Sequence, residues 1–198
     1  MSSSPLLERF VDALQCLQGI GKKSAQRIAF QLLQRDRESA VKLADVMRAA
    51  MTDIGQCQRC RTFSESTLCG LCQSEKRDKS LLCVVENPLD VNAIMQSSDF
   101  RGVFFVLMGH LSPIDGITPA QLGMETLKDR LGEGEVREMI VATGTTMEGE
   151  ATAHYLKELA SDFDIITSRI AFGVPVGGEL EYLDSSTLSL ALSSRREY

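Results

Sequence analysis

An α/β fold, with a mostly parallel sheet in its second half and an all-helical module in its first, is predicted by three features of the sequence. Apolar residues recur at helical spacing through the first 54 positions; four cysteines then fall in a tight cluster; and from Ser80 onward short apolar runs alternate with segments of helical pattern. Strand–helix alternation implies a mostly parallel sheet covered on both faces. A chain of 198 residues, 43% of them hydrophobic, can bury such a core and still carry small appendages.

The elements follow in chain order. Leu6, Leu7, Phe10, Val11, Leu14 and Leu17 mark a first helix, Gly19-Ile20-Gly21 interrupts it, and Ala25, Ile28, Ala29, Leu32 and Leu33 resume the period. A third amphipathic helix runs from Glu38 to Ile54 and ends at Gly55. The cysteines follow, and then come the expected strands Leu81–Val85, Val103–Leu107, Met139–Ala142 and Ile165–Ile166. Thr118-Pro119 is expected to serve as N-cap and first position of a helix reaching Leu131. From Phe172 the chain is rich in glycine and then amphipathic through Leu188, Leu190 and Leu192. These boundaries give four expected parts: a helical module over 1–54, a cysteine-rich insert over 55–77, the α/β domain over 78–171, and a tail over 172–198.

Composition narrows the setting. No stretch has the length of apolar residues that spans a bilayer, and Met1-Ser2-Ser3-Ser4-Pro5 lacks the charged and apolar regions of a signal peptide, so a cytoplasmic protein is expected. In a reducing compartment the six cysteines are not expected to form disulfides, and regular spacing among them reads as a metal site. The net charge of −6 is unevenly distributed: residues 1–61 carry ten Lys/Arg against six Asp/Glu, and the remainder eleven against twenty-one. This suggests a basic N-terminal part suited to phosphate, joined to an acidic body.

Cys57-x-x-Cys60 and Cys69-x-x-Cys72, with eight residues between the pairs, place four thiolates where two short turns can grip a tetrahedral ion. One structural zinc fits best, and with four sulfurs no position remains for a catalytic water. The intervening segment is too small and polar to form a core. Without metal, residues 55–75 are therefore expected to lose their order while the α/β domain stays folded. Cys16 and Cys83 lie on apolar faces and read as core residues.

The Gly19-Ile20-Gly21 turn is followed by Lys22, Lys23 and Arg27. Two readings fit it: a helix-hairpin-helix that grips the DNA backbone through amides and cations, and a glycine-broken helical hairpin with solvated lysines. It is not a P-loop, because no glycine directly precedes the Lys-Ser pair and a helix, not a strand, comes first.

Glu86 ends the first strand of the α/β part, and Ala142–Ala151 follow a later one; both lie at C-terminal strand ends, where open α/β sheets place functional groups. The arrangement resembles the Toprim domain of topoisomerases and primases, in which a glutamate and an Asp-x-Asp pair hold magnesium. At the positions of that pair this chain has Gly144 and Thr146, neither of which supplies a carboxylate.

The ordered set of the glycine hairpin with Lys22–Arg27, the Cys57–Cys72 cluster, Val84-Val85-Glu86, Gly109–Ile117, Glu148–Ala153 and Gly173–Glu181 resembles the RecR family of bacterial recombination mediators over essentially the whole chain. The resemblance implies a non-enzymatic, nucleoid-associated protein acting in DNA repair. It would work with RecO, and in many bacteria RecF, to load RecA onto single-stranded DNA coated with single-strand-binding protein. It further implies homodimers or tetrameric rings built through the N-terminal helices and the tail, and an acidic partner surface comprising Glu86, Asp90, Glu148 and Glu150. Where the family carries Asn-Pro, this chain has Gly144-Thr145, which predicts a more mobile loop beside Glu86. Two rival classes are a metal-dependent Toprim nuclease or primase, and a zinc-bearing adaptor that never touches DNA.

Overall fold

The structure, a computed structural model, describes residues 4–97, 99–171 and 173–195. Met1–Ser3 and Phe172, where the tail is expected to begin, lie outside them. The chain divides into two compact units, residues 1–54 and 55–198.

The first unit is all-helical. Pro5, whose ring favours the first helical position, opens α1 (Pro5–Leu14); α2 (Lys22–Arg35) and α3 (Arg37–Asp53) follow. Val11, Ala25 and Ala29 are buried where α1 meets α2, with Leu7, Phe10, Leu14 and Ile20 packed around them. Asp36 ends α2 and caps α3, its carboxylate accepting the Ser39 amide hydrogen at 3.2 Å. Cys16, expected in the core, is instead exposed, because α1 stops at Leu14 and the chain turns before the apolar period can continue.

The second unit begins with two short antiparallel strands, β1 (Gly55–Gln56) and β2 (Phe63–Ser64), and a single turn of helix, α4 (Gly70–Gln73). Its sheet comprises β3 (Asp78–Val85), β4 (Gly102–Val106), β5 (Glu138–Ala142) and β6 (Ile166–Arg169), in the order β4-β3-β5-β6, all parallel. The crossover helices are α5 (Pro88–Ser97), α6 (Met124–Gly132) and α7 (Met147–Ser161). Alternate residues of β3 face opposite sides. Leu82 and Val84 join the larger core with Phe105, Leu127, Met139 and Leu156, whereas Cys83 and Val85 join the smaller one with Val91, Phe104 and Val106. Burial pushes the Cys83 thiol up to about 12, so it packs as a neutral group.

The helix expected from Pro119 starts five residues later. Thr118–Gly123 form turns closed by the Gln121 side chain, which accepts the Thr118 amide hydrogen at 2.8 Å, and Gly123 adopts a left-handed φ of 71° that no helix can run through. After β6 the tail holds one 3₁₀ turn (Leu180–Tyr182) and α8 (Ser185–Ser193), which buries none of its residues. No helix among the described residues is long and apolar enough to cross a membrane.

Strands β3 and β5 are neighbours in register, Val85 opposite Ala142. Their C-terminal ends therefore bring Glu86 beside the loop Thr143–Thr146.

Candidate functional site

The cysteine cluster is built by short-range backbone bonds. The Cys57 amide donates to the Thr62 carbonyl at 2.8 Å and the Arg61 amide to the Cys57 carbonyl at 2.8 Å, folding the first pair into a tight knuckle; the Gln73 amide does the same for the second by bonding to Cys69 at 3.0 Å. Arg61, with φ 64°, supplies the left-handed step that the knuckle needs. The four Sγ atoms lie within 4.8 Å of one another, and Cys57, Cys60 and Cys69 are buried. Tetrahedral sulfurs about 2.3 Å from a zinc ion stand about 3.8 Å apart, so the four donors are grouped closely enough for that ion to draw them into its tetrahedron. The Cys69 amide hydrogen points at the Cys57 sulfur at 3.3 Å, an arrangement that favours a thiolate. The hydrogen bond from Cys60 pulls the Cys72 thiol down to about 6, while Cys60, which keeps the proton and is buried, is pushed up. The cluster holds one structural zinc.

This knuckle is seated on the edge of the sheet. The Val106 amide of β4 donates to the Cys60 carbonyl at 2.8 Å. Arg61 reaches over Gly123 to the carbonyls of Leu107 and Gln121, each at 3.2 Å, and of Leu122, its guanidinium 5.9 Å from the Phe105 ring centre. A Cβ at Gly123 would strike that guanidinium. Arg59 forms ion pairs with Glu133 at 2.7 Å and Glu135 at 2.6 Å. From α6, buried Arg130 donates to the Arg59 carbonyl at 3.1 Å and the Phe104 carbonyl at 2.7 Å. The charge distribution along the sequence assigns Arg59 and Arg61 to a basic N-terminal part. They belong instead to the second unit and are paired within it, leaving residues 1–54 with eight basic and six acidic side chains. The one sequence sign of this role is Arg130 itself, a cation set into the apolar stripe of Leu127 and Leu131.

At the strand ends, Glu86 accepts the Gly144 amide hydrogen at 2.7 Å through Oε1, and its Oε2 lies 3.5 Å from His110 Nδ1. Arg169, at the end of β6, donates to the Gly144 carbonyl at 3.0 Å and pairs with Glu150. Gly144 is thus held at both its amide and its carbonyl, which runs against the expectation of a mobile loop. Thr146 caps α7, its hydroxyl accepting from the Gly149 amide at 3.1 Å, and a Cβ on Gly149 would run into the Gly144 carbonyl. Asp90 is engaged in a reciprocal cap, accepting from the Asn87 amide at 3.0 Å as α5 begins. Glu148 lies half-buried in the first turn of α7. The structure thus joins Glu86 and Glu150 through Gly144 and Arg169, with Asp90 and Glu148 on adjoining helix starts. Arg169 carries no motif that the sequence alone would single out, whereas His110 falls within the Gly109–Ile117 stretch that carries the family resemblance. His154 lies 3.5 Å from the Glu158 carboxylate, one turn ahead on α7.

In the first unit, Gly19 takes a φ of 80°, Gly21 is the extended N-cap of α2, and the first bonded amide of α2 is that of Ala25, to Gly21. Lys22, Lys23 and Arg27 are exposed, and none forms an ion pair among the described residues. Two lysines at a helix N-terminus oppose the helix dipole, and no acidic residue of the first turn offsets them. An anion would satisfy the free amides and the cations together.

Four family models match consecutive parts of the chain: the helix-hairpin-helix of RecR over residues 7–51, the four-cysteine zinc finger domain of RecR over 54–74, a Toprim domain over 80–171, and the RecR C-terminal region over 173–196. The recombination protein RecR of Alcanivorax borkumensis is 52% identical over 198 residues, covering 100% of this chain and 99% of the relative. With its parts in that order and its whole length matched, the chain belongs to the RecR family of recombination and repair proteins.

Proposed function

We propose that this protein is a non-enzymatic recombination mediator that binds DNA through Lys22, Lys23 and Arg27. On this reading it joins RecO, and RecF, through the surface of Glu86, Asp90, Glu148 and Glu150, and so helps load RecA onto single-stranded DNA coated with single-strand-binding protein. Residues 1–54 act as the DNA-binding module, 55–77 as the zinc finger, 78–171 as the Toprim domain and 172–198 as an oligomerisation element. The setting is the bacterial cytoplasm, at the nucleoid.

One observation carries the non-enzymatic reading: of the positions that hold a divalent cation in catalytic Toprim domains, only Glu86 is a carboxylate here, and all three are engaged within the chain. Glu86 takes the Gly144 amide and faces His110, Thr146 caps a helix, and the Arg169 guanidinium bridges Gly144 and Glu150. A hard cation needs several anionic oxygens free to turn towards it. Assembly into dimers or rings draws support from α3, which buries no residue yet sets Ala40, Leu43, Met47 and Ala50 at coiled-coil spacing, with Leu43 54% and Met47 49% exposed. A second copy of the chain offers the same seam.

The test combines turnover and binding. Magnesium- or manganese-dependent cleavage, unwinding and synthesis are expected to be undetectable, while Glu86→Ala weakens binding of purified RecO. Robust turnover abolished by Glu86→Ala would overturn the reading in favour of a nuclease or primase.

A further inference from the structure

Taking a cation out of water costs several kcal/mol unless an opposite charge stands near it. Arg130 is 4% exposed, and none of the ion pairs among the described residues includes it. Its two acceptors are neutral carbonyls, and its Nε is buried with no hydrogen-bond partner among the described residues. Two carbonyls alone are a poor reason to bury a guanidinium where a leucine or methionine would pack.

The position of those carbonyls supplies the reason. One belongs to Arg59, the residue before Cys60 in the knuckle; the other belongs to Phe104, in the middle of edge strand β4. Arg130 therefore lies in the seam between knuckle and sheet, one residue from a zinc ligand. Burial and the Arg59 cation pull its pKa down, and the Cys72 and Cys60 sulfurs, with Glu133, push back. Four thiolates around a dication leave a net charge of about −2. Glu133 is a lesser source of negative charge, because its carboxylate is 45% exposed and already bonded to Arg59.

We infer that the zinc–tetrathiolate centre is the counter-charge of buried Arg130, which makes Arg130 a positioning residue of the metal site and links metal occupancy to the seating of α6 on the sheet edge. The inference rests on the zinc site alone and is independent of the DNA and partner roles proposed above. It carries a distinctive sign. With zinc present, the guanidinium stabilises the centre and is stabilised by it. Without zinc, the four sulfurs are no longer held together as a dianionic centre, so the guanidinium loses part of its counter-charge and an apolar residue of similar length is better tolerated.

The experiment uses the full chain and two variants, Arg130→Met and Arg130→Lys. It measures transfer of zinc to a chromogenic chelator, and denaturant midpoints of the zinc-loaded and zinc-stripped protein. Arg130→Met is expected to weaken zinc retention by roughly 10–100-fold, as loss of an outer-shell partner does, and to narrow the gap between loaded and stripped midpoints. Arg130→Lys, which keeps the charge without the fork, is expected to retain zinc within about threefold of the parent. If Arg130→Met lowers both midpoints equally and leaves zinc transfer unchanged, the guanidinium serves only as a donor to two carbonyls and the inference is overturned. If Arg130→Met does not fold, the lysine variant decides: retention like the parent's supports the counter-charge, and a loss of roughly 10-fold or more contradicts it.

Discussion

Four arginines of the second unit and the three hairpin cations of the first, Lys22, Lys23 and Arg27, are cationic side chains in contrasting settings. Arg59, Arg61, Arg130 and Arg169 are each bonded within the chain, to carboxylates or to backbone carbonyls. Lys22 and Lys23 are exposed at a helix start whose dipole disfavours them, and Arg27 is exposed on the next turn. The first group completes the fold, and its removal leaves buried acceptors unpaired. The second forms no ion pair among the described residues and, on the proposed reading, serves an anion outside the fold. Net charge hides this difference, whereas partners reveal it.

The largest effect that sharpens the contrast is metal removal. Because the Cys60 carbonyl and Arg61 both bond to the β4 edge and the turns beyond it, stripping zinc should loosen more than residues 55–77. This adds a local loosening of the sheet edge to the sequence-based expectation that residues 55–75 lose their order while the α/β domain stays folded. Cys57→Ser or Cys69→Ser is expected to cost on the order of 5 kcal/mol or more. In hydrogen exchange, protection should fall across Gly102–Val106 together with the knuckle. Exchange confined to 55–77 would restore the picture of an independent finger.

Next in size is Gly149→Ala, which drives a methyl group into the Gly144 carbonyl and is expected to cost about 1–3 kcal/mol. Chemical denaturation measures it. Displacing the Gly144 loop should also reduce binding of RecO, if the proposed partner surface is correct.

Much of this architecture was legible in the sequence, and what was not has a common cause. Periodicity located the helices, and the β-branched and aromatic runs located the strands, because burial imposes those patterns directly. The zinc site was legible because its ligands are local, four cysteines within sixteen positions. Arg61 and Gly123, or Arg169 and Gly144, are brought together only by the tertiary fold, so no local pattern announces them. Cys16 misled for a related reason: an apolar position at helical spacing faces a core only if the helix lasts long enough to carry it there.

The smallest expected effect lies in the tail. Hydrogen bonds from the side chains and amides of Ser186 and Thr187 hold the Asp184 carboxyl below its ordinary range, and it caps α8. A carboxylate whose folded pKa is depressed contributes above the unfolded value, about 3.9, and its contribution fades as pH falls through the lower folded value. Acidification below about pH 4 should therefore fray α8, as Asp184→Ala should at neutral pH. Amide exchange at Leu188–Leu192 should report both changes; only the substitution at neutral pH should leave the zinc site unaffected, because acid also protonates the thiolates and releases the metal.

The comparison of the two groups of cations is tested most directly by titrating fluorescent DNA with protein at several salt concentrations, followed by anisotropy, beside thermal melts of the same samples. Lys23→Ala with Arg27→Ala is expected to weaken DNA binding, to lower the salt slope by roughly one for each phosphate no longer neutralised, and to leave stability within about 0.5 kcal/mol. Arg61→Ala is expected to do the reverse, costing about 1.5–3 kcal/mol of stability with the salt slope unchanged. A double variant of Lys23 and Arg27 that melts early but binds DNA with the parent's affinity and slope would contradict the account and make the hairpin structural.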